Sequence, residues 1–248
     1  MKKSITKKLL ILSVILAAMI ALPGAAGAMH IMEGYLPLGY SVAWGAVCIP
    51  FLFMGTTKLK KIFAENRRSI MLLAMSGAFI FVISSLKIPS VTGSCSHMTG
   101  TGLAAILFGV GTTSVLAIIV LIFQAILLAH GGLTTLGANT FSMGIAGPLL
   151  TWALYRTGKK LKINRMTSSF IAASFGGLFT YCVTALQLAI AHPSEIGGVG
   201  ASFSQFIVIF APTQIPLALV EGLLTVLILM GMENYASREL AEISFMEA

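Results

Sequence analysis

The chain has 248 residues, 57% of them hydrophobic and only 10% charged, with a mean hydropathy of +0.95. So much apolar surface excludes an ordinary soluble domain and predicts an all-α, polytopic membrane helical bundle forming a single domain. The net charge of +8 is not a nucleic-acid signature, because the basic residues sit in short clusters between apolar runs, where they set topology.

Residues 1–28 have the three parts of a cleavable signal peptide. Lys2, Lys3, Lys7 and Lys8 give a basic start, Leu9 to Leu22 an apolar run too short to span comfortably, and Ala26-Gly27-Ala28 a small-x-small cleavage site after Pro23 and Gly24. Cleavage after Ala28 leaves residues 29–248 as the integral membrane domain, with Met29-His30 at its new N-terminus. A free amine followed at once by histidine is a chelator. The Met29 amine, the His30 amide nitrogen and His30 Nδ1 close two fused rings around one ion. Amide nitrogen binds only when deprotonated, which metals favouring a square-planar field support best, Cu(II) and Ni(II) being the usual cases. A fourth nitrogen would close the plane.

Beyond this terminus, Gly34 to Pro37 turns the chain into an apolar segment from about Leu38 to Gly55, which ends at Lys58, Lys60, Lys61, Arg67 and Arg68. A second segment covers Ser69 to Leu86. The polar stretch 87–102 leads to a short apolar piece, Leu103 to Val110, interrupted by Gly109 and Gly111. Ser114 to Ala129 follows, then the link HGGLTTLG. Residues 138–155 end at a second basic cluster of Arg156, Lys159, Lys160, Lys162 and Arg165. Thr167 to Ala191 is long enough to span with tilt. A loop and a partly apolar stretch, Phe203 to Phe210, precede the last segment, Thr213 to Met232. This makes about seven transmembrane segments after signal-peptide removal, one of them short. With the N-terminus outside and the short segment counted as a crossing, every Lys and Arg except Lys87 falls on the cytoplasmic side, as does the C-terminus.

That topology puts His30, His97, His130 and His192 at or near the external face. His97, in a loop of small residues (GSCSHMTGTG), is the candidate fourth nitrogen for the Met29-His30 chelate. The same pattern assigns Cys95 to packing, since no third soft ligand stands at a suitable spacing. His130 reads as a group that orients a ligand rather than one that contacts the ion. Gln124 and Asn139 are near-membrane amides able to hold the inserted N-terminal loop by hydrogen bonds. Glu33 reads equally as a partner for an imidazole or the ion and as a solvated turn residue. Glu221 lies too deep in the last segment for direct contact with an external site. The thirteen methionines form no repeated ladder and read as flexible filler.

At MHIMEGYLP (29–37), GSCSHMTGTGL (93–103) and HGGLTTLGANTFSMGIAGP (130–148) the sequence resembles the CbiM/NikM family, the substrate-binding membrane component of cobalt and nickel energy-coupling-factor transporters. The resemblance covers essentially the whole mature chain. It implies an ATP-driven importer of Co(II), serving cobalamin biosynthesis, or of Ni(II), in the cell membrane, with the ion as cargo held by Met29, His30 and His97. It also implies a transmembrane coupling subunit, paired cytoplasmic ATPase subunits and a small accessory membrane subunit. The chain itself has no Walker motif, so it reads as a transporter subunit and not an enzyme, with energy supplied in trans. Three rivals make different demands. A membrane-anchored haem electron carrier needs axial histidines within facing spans. An intramembrane enzyme needs a paired base and nucleophile, or an HExxH. A vitamin-binding subunit of the same transporter class needs an aromatic-lined cavity and leaves Met29-His30 unexplained.

Overall fold

The computed structural model describes residues 30–65, 69–89 and 95–243. The expected signal peptide and Met29 lie outside them.

Helix α1 runs Leu38–Glu65 with Pro50 inside it, and α2 runs Ser69–Ser85. Two-residue strands follow, β1 (Ile88–Pro89) paired antiparallel with β2 (Cys95–Ser96). Next come α3 (Thr101–Phe108) and α4 (Val110–Leu128), joined at Gly109, whose φ of 79° breaks the helix. A short α5 (Leu136–Asn139) passes into a π-helical stretch, Thr140–Ala146, and then into α6 (Gly147–Lys160). The chain ends with α7 (Arg165–Ala191), α8 (Gly198–Tyr235) and the six-residue α9 (Ser237–Glu242).

Among the described residues, four helices are long and apolar enough to cross a membrane: α1, α4, α7 and α8. The other expected segments take shorter or interrupted forms. The segment at Ser69 to Leu86 is a 17-residue helix. The one at 138–155 changes from α to π to α geometry. The stretches Phe203 to Phe210 and Thr213 to Met232 are one helix of 38 residues that carries Pro212 and Pro216 in its interior. The short apolar piece is the eight-residue α3, and every one of its residues is buried. It therefore sits inside the bundle, where helices on all sides satisfy the backbone freed at its ends.

Apolar side chains cover the outside as well as the core. Phe53 is 68% exposed, Leu127 65% and Val208 70%, a distribution suited to lipid rather than water. The main core joins Leu72, Ile80, Leu103, Leu107, Val120, Met143 and Leu229 from five elements, with α3 at its centre. A smaller cluster, Ile31 with Leu36, Ala138 and Leu188, fastens the N-terminal segment to α5 and α7.

Candidate metal centre

Three connecting segments meet at one place. Residues 30–37 enter ahead of α1, residues 95–100 lead into α3, and residues 129–135 link α4 to α5. Each brings one histidine. The ring centroids of His30 and His97 are 4.4 Å apart, those of His30 and His130 4.5 Å, and those of His97 and His130 4.8 Å. One ligand nitrogen from each lies within 4.8 Å of the others. All three side chains are buried, His97 completely.

Protonation follows from this burial. Desolvation pushes the His97 imidazole down to about 4 and His130 to about 3, and holds His30 well below 6.5, with mutual repulsion adding to the effect at His30 and His130. All three are neutral at pH 7, the form that binds metal. For His97 the tautomer is fixed too. Nδ1 lies 2.8 Å from the Met98 carbonyl, which can only accept, so Nδ1 carries the proton and Nε2 keeps a bare lone pair. Nε2 of His30, His97 and His130 are buried atoms without a hydrogen-bond partner. A buried nitrogen without a partner is costly, and this one cluster holds three of them.

The surrounding groups hold the histidines rather than adding ligands. Asn139 pairs with both backbone groups of Ile31, accepting from its N–H at 2.8 Å and donating to its carbonyl at 3.0 Å. Thr135 Oγ1 donates to the same carbonyl at 2.7 Å. The expected fixing of the N-terminal loop by a near-membrane amide thus falls to Asn139, while Gln124 donates to Ser84 Oγ at 2.7 Å and stands against the His30 ring. Gly131 and Gly132 let the N-terminal segment lie flat on the 129–135 link. A Cβ on Gly132 would stand 2.6 Å from Glu33 Cα, and one on Gly131 would stand 3.3 Å from the His30 ring.

Glu33 is exposed, and its carboxylate accepts from Thr134 N–H. Its hydrogen bonds to Thr134 lower its pKa, and it acts as a latch between the two segments. His192 Nε2 donates to the Tyr35 carbonyl at 2.8 Å, outside the imidazole cluster. Cys95 contributes backbone to β2. Its side chain lies outside the described residues.

Sequence reasoning paired His30 with His97, and the structure brings the two rings together. It placed His130 one step back from the ion, whereas the His130 ring stacks on that of His30. It singled out neither Thr134 nor Thr135, although both lie in the HGGLTTLG stretch. It also set Glu221 apart from the site. In the structure this carboxylate reaches Thr99 and Gly100, two and three residues beyond His97.

Lipid-facing helices around a closed trio of neutral imidazoles define a polytopic membrane protein with a candidate transition-metal centre. The chain belongs to the family described as the cobalt uptake substrate-specific transmembrane region, CbiM, whose sequence model matches residues 30–239. It is 59% identical over 237 residues to the cobalt transport protein CbiM of Lachnoclostridium phytofermentans, covering 96% of this chain and 95% of that protein. It is 57% identical over 212 residues to the CbiM protein of Chlorobium limicola, covering 86% and 84% of the two chains. A crystal structure of a truncated transition metal transporter superposes with a TM-score of 0.71 at 27% identity, covering 83% of this chain and 99% of that one.

Proposed function

We propose that this chain is the ion-capturing membrane subunit of a cobalt importer, with Ni(II) as the second ion that the ligand chemistry favours. The observation that carries the reading is the buried cluster of His30, His97 and His130, whose ligand nitrogens lie within 4.8 Å of one another, with His97 Nε2 a bare acceptor among them. His30 and His97 bind the ion as cargo, together with the Met29 amine and the His30 amide exposed by removal of residues 1–28. Among the described residues the centre contains no carboxylate, since Glu33 is engaged with Thr134. A divalent ion surrounded only by neutral imidazoles would stay uncompensated in a buried site. A deprotonated His30 amide supplies the missing negative charge. Intrinsic affinity follows the Irving–Williams order, so cobalt is chosen by geometry and supply.

His130 is added here as a contact above the His30 ring, one that stabilises the bound ion without being needed for the four-nitrogen square. The close packing of the rings disfavours the haem reading, because centroids less than 5 Å apart leave no room for a macrocycle between axial ligands.

The rest of the proposal concerns topology and partners. About seven segments cross or enter the cell membrane, the mature N-terminus lies outside, and the C-terminus lies in the cytoplasm. Lys58 Nζ donates to the Phe108 carbonyl, which brings the end of α3 level with the first basic cluster. That contact supports counting the short segment as a crossing. A transmembrane coupling subunit, paired cytoplasmic ATPases and a small accessory subunit supply the energy and the loading.

One experiment tests the site. The full-length protein, processed in its own membrane and purified in detergent, is analysed for bound cobalt and nickel and for its N-terminal residue. Wild type is expected to hold one ion per chain and to begin at Met29. His30→Ala, His97→Ala and a form carrying one extra residue before Met29 are expected to hold none while still inserting. Stoichiometric metal in both histidine variants overturns the site, and normal binding by the extended form overturns the amine ligand.

A further inference from the structure

The segment that carries His97 is gripped along its length by one face of α8. Thr213, Leu217 and Glu221 are spaced four residues apart, so they line one side of the helix. They meet successive parts of the 96–100 segment in order. Thr213 Oγ1 lies 2.7 Å from Ser96 Oγ. Leu217 packs in one apolar cluster with Met98 and Ile83. Glu221 Oε2 accepts from the Thr99 N–H at 2.8 Å, and Oε1 accepts from the Gly100 N–H at 2.8 Å and from the Thr99 hydroxyl. His97 is held between the first two of these attachments.

Glu221 is 1% exposed, and among the described residues its hydrogen-bond partners all belong to this one loop. A carboxylate buried among helices is expensive, and three donors aimed at it are what make it tolerable. Gly177 on α7 leaves the space it occupies, since a Cβ there would stand 3.1 Å from Oε2. Charge-assisted bonds to backbone N–H groups are short and directional, so they fix where the loop's backbone lies.

We infer that Glu221 is a positioning residue for the metal centre: it fixes the backbone that aims His97 Nε2, and α8 thereby couples its own position to the ion's grip. This rests on the reading of His97 as a ligand. The charge pattern explains why glutamate is required. Glutamine keeps the size and one acceptor oxygen, but it turns an amide N–H₂ toward the Thr99 N–H, donor against donor. His97 then shifts while the bundle stays packed.

The test uses the full-length processed chain in detergent, titrated with Co(II) and with Ni(II) salts. Glu221→Gln is expected to weaken binding at least tenfold and to shift the Ni(II) absorption band, with the melting temperature of the metal-free protein close to wild type. Thr99→Val, which removes one of the three donors to Glu221 along with the acceptor of two longer bonds from Thr101, is expected to weaken binding several-fold. Thr99→Ser should restore it. The double variant Thr99→Val/Glu221→Gln should bind no worse than Glu221→Gln alone. Wild-type affinity and an unchanged band in Glu221→Gln overturn the inference. Should that variant not accumulate, wild-type affinity in Thr99→Val overturns it just as well. A wild-type protein that binds neither ion defeats the proposed function itself, whereas a binding wild type beside unaffected variants defeats only the role given to Glu221.

Discussion

Asn139 shows how much a single amide can do at this site. Its carboxamide matches the backbone of Ile31, donor to acceptor and acceptor to donor, as a neighbouring β-strand would. Replacing it with alanine leaves a buried N–H without a partner and strips the carbonyl to its bond with Thr135. An unpaired buried group costs about 1–3 kcal/mol. If that cost falls on docking the N-terminal segment, metal affinity in Asn139→Ala drops roughly ten- to hundredfold, since each decade is about 1.4 kcal/mol. Asn139→Asp should not restore binding, because it still accepts from Ile31 N–H but sets a second acceptor against the Ile31 carbonyl. Competition with a chelator of known affinity measures both, and an unchanged affinity in Asn139→Ala would separate docking of Ile31 from metal binding. Residue chemistry of this kind was partly legible in the chain. A histidine beside a small-x-small cleavage site and a histidine among small loop residues can be matched by ligand chemistry alone. His130 could not be placed that way, because its distance from His30 depends on how two loops stack.

Between elements, one of the close contacts lies where α6 crosses α7. Gly147 and Thr151 on α6, and Gly176 and Thr180 on α7, have the same four-residue spacing and face one another reciprocally. A Cβ on Gly147 would stand 1.9 Å from Thr180 Oγ1, and one on Gly176 would stand 1.8 Å from Thr151 Oγ1. Each threonine hydroxyl is turned back onto the carbonyl of its own glycine at 3.1 Å, so neither side chain can give way cheaply. Small residues at such crossings let backbones approach where no hydrophobic drive between helices exists. Gly176→Ala is therefore expected to cost about 1–3 kcal/mol through overpacking, seen as a lower melting temperature in detergent. Gly200→Ala on α8 meets nothing within 4 Å and should leave it unchanged. Equal melting for the two variants would remove this crossing from the account of stability. Hydropathy found the apolar segments but not these relations. It divided α8 into Phe203 to Phe210 and Thr213 to Met232, whereas the structure carries one helix through Pro212 and Pro216, as a membrane helix tolerates proline in its interior. It also judged Glu221 by its distance along the segment. The structure brings the 95–100 loop to that carboxylate instead, by way of the buried eight-residue α3.

At the scale of the whole molecule, the imidazole trio ties stability to pH. In the unfolded chain each histidine takes up a proton near pH 6.5. In the folded protein burial delays this to about 4 for His97 and about 3 for His130, and His30 is held well below its ordinary value. Between those limits the unfolded chain binds more protons than the folded one, so the metal-free protein must lose stability as the pH falls below about 6.5. The slope is at most about 1.4 kcal/mol per pH unit for each imidazole. Glu33 acts in another window: its lowered carboxylate pKa adds stability that is fully present above 4.5 and is lost only below it. The melting temperature of metal-free protein should thus fall steadily from pH 7 to pH 5, and His130→Asn should make that fall shallower by removing one of three contributors. A profile flat over this interval would mean that the rings protonate in place. The trio could not then be the dry, neutral cage that the proposed capture of a divalent ion requires, because a cage that admits protons freely would lose its cargo to them before any partner subunit moved.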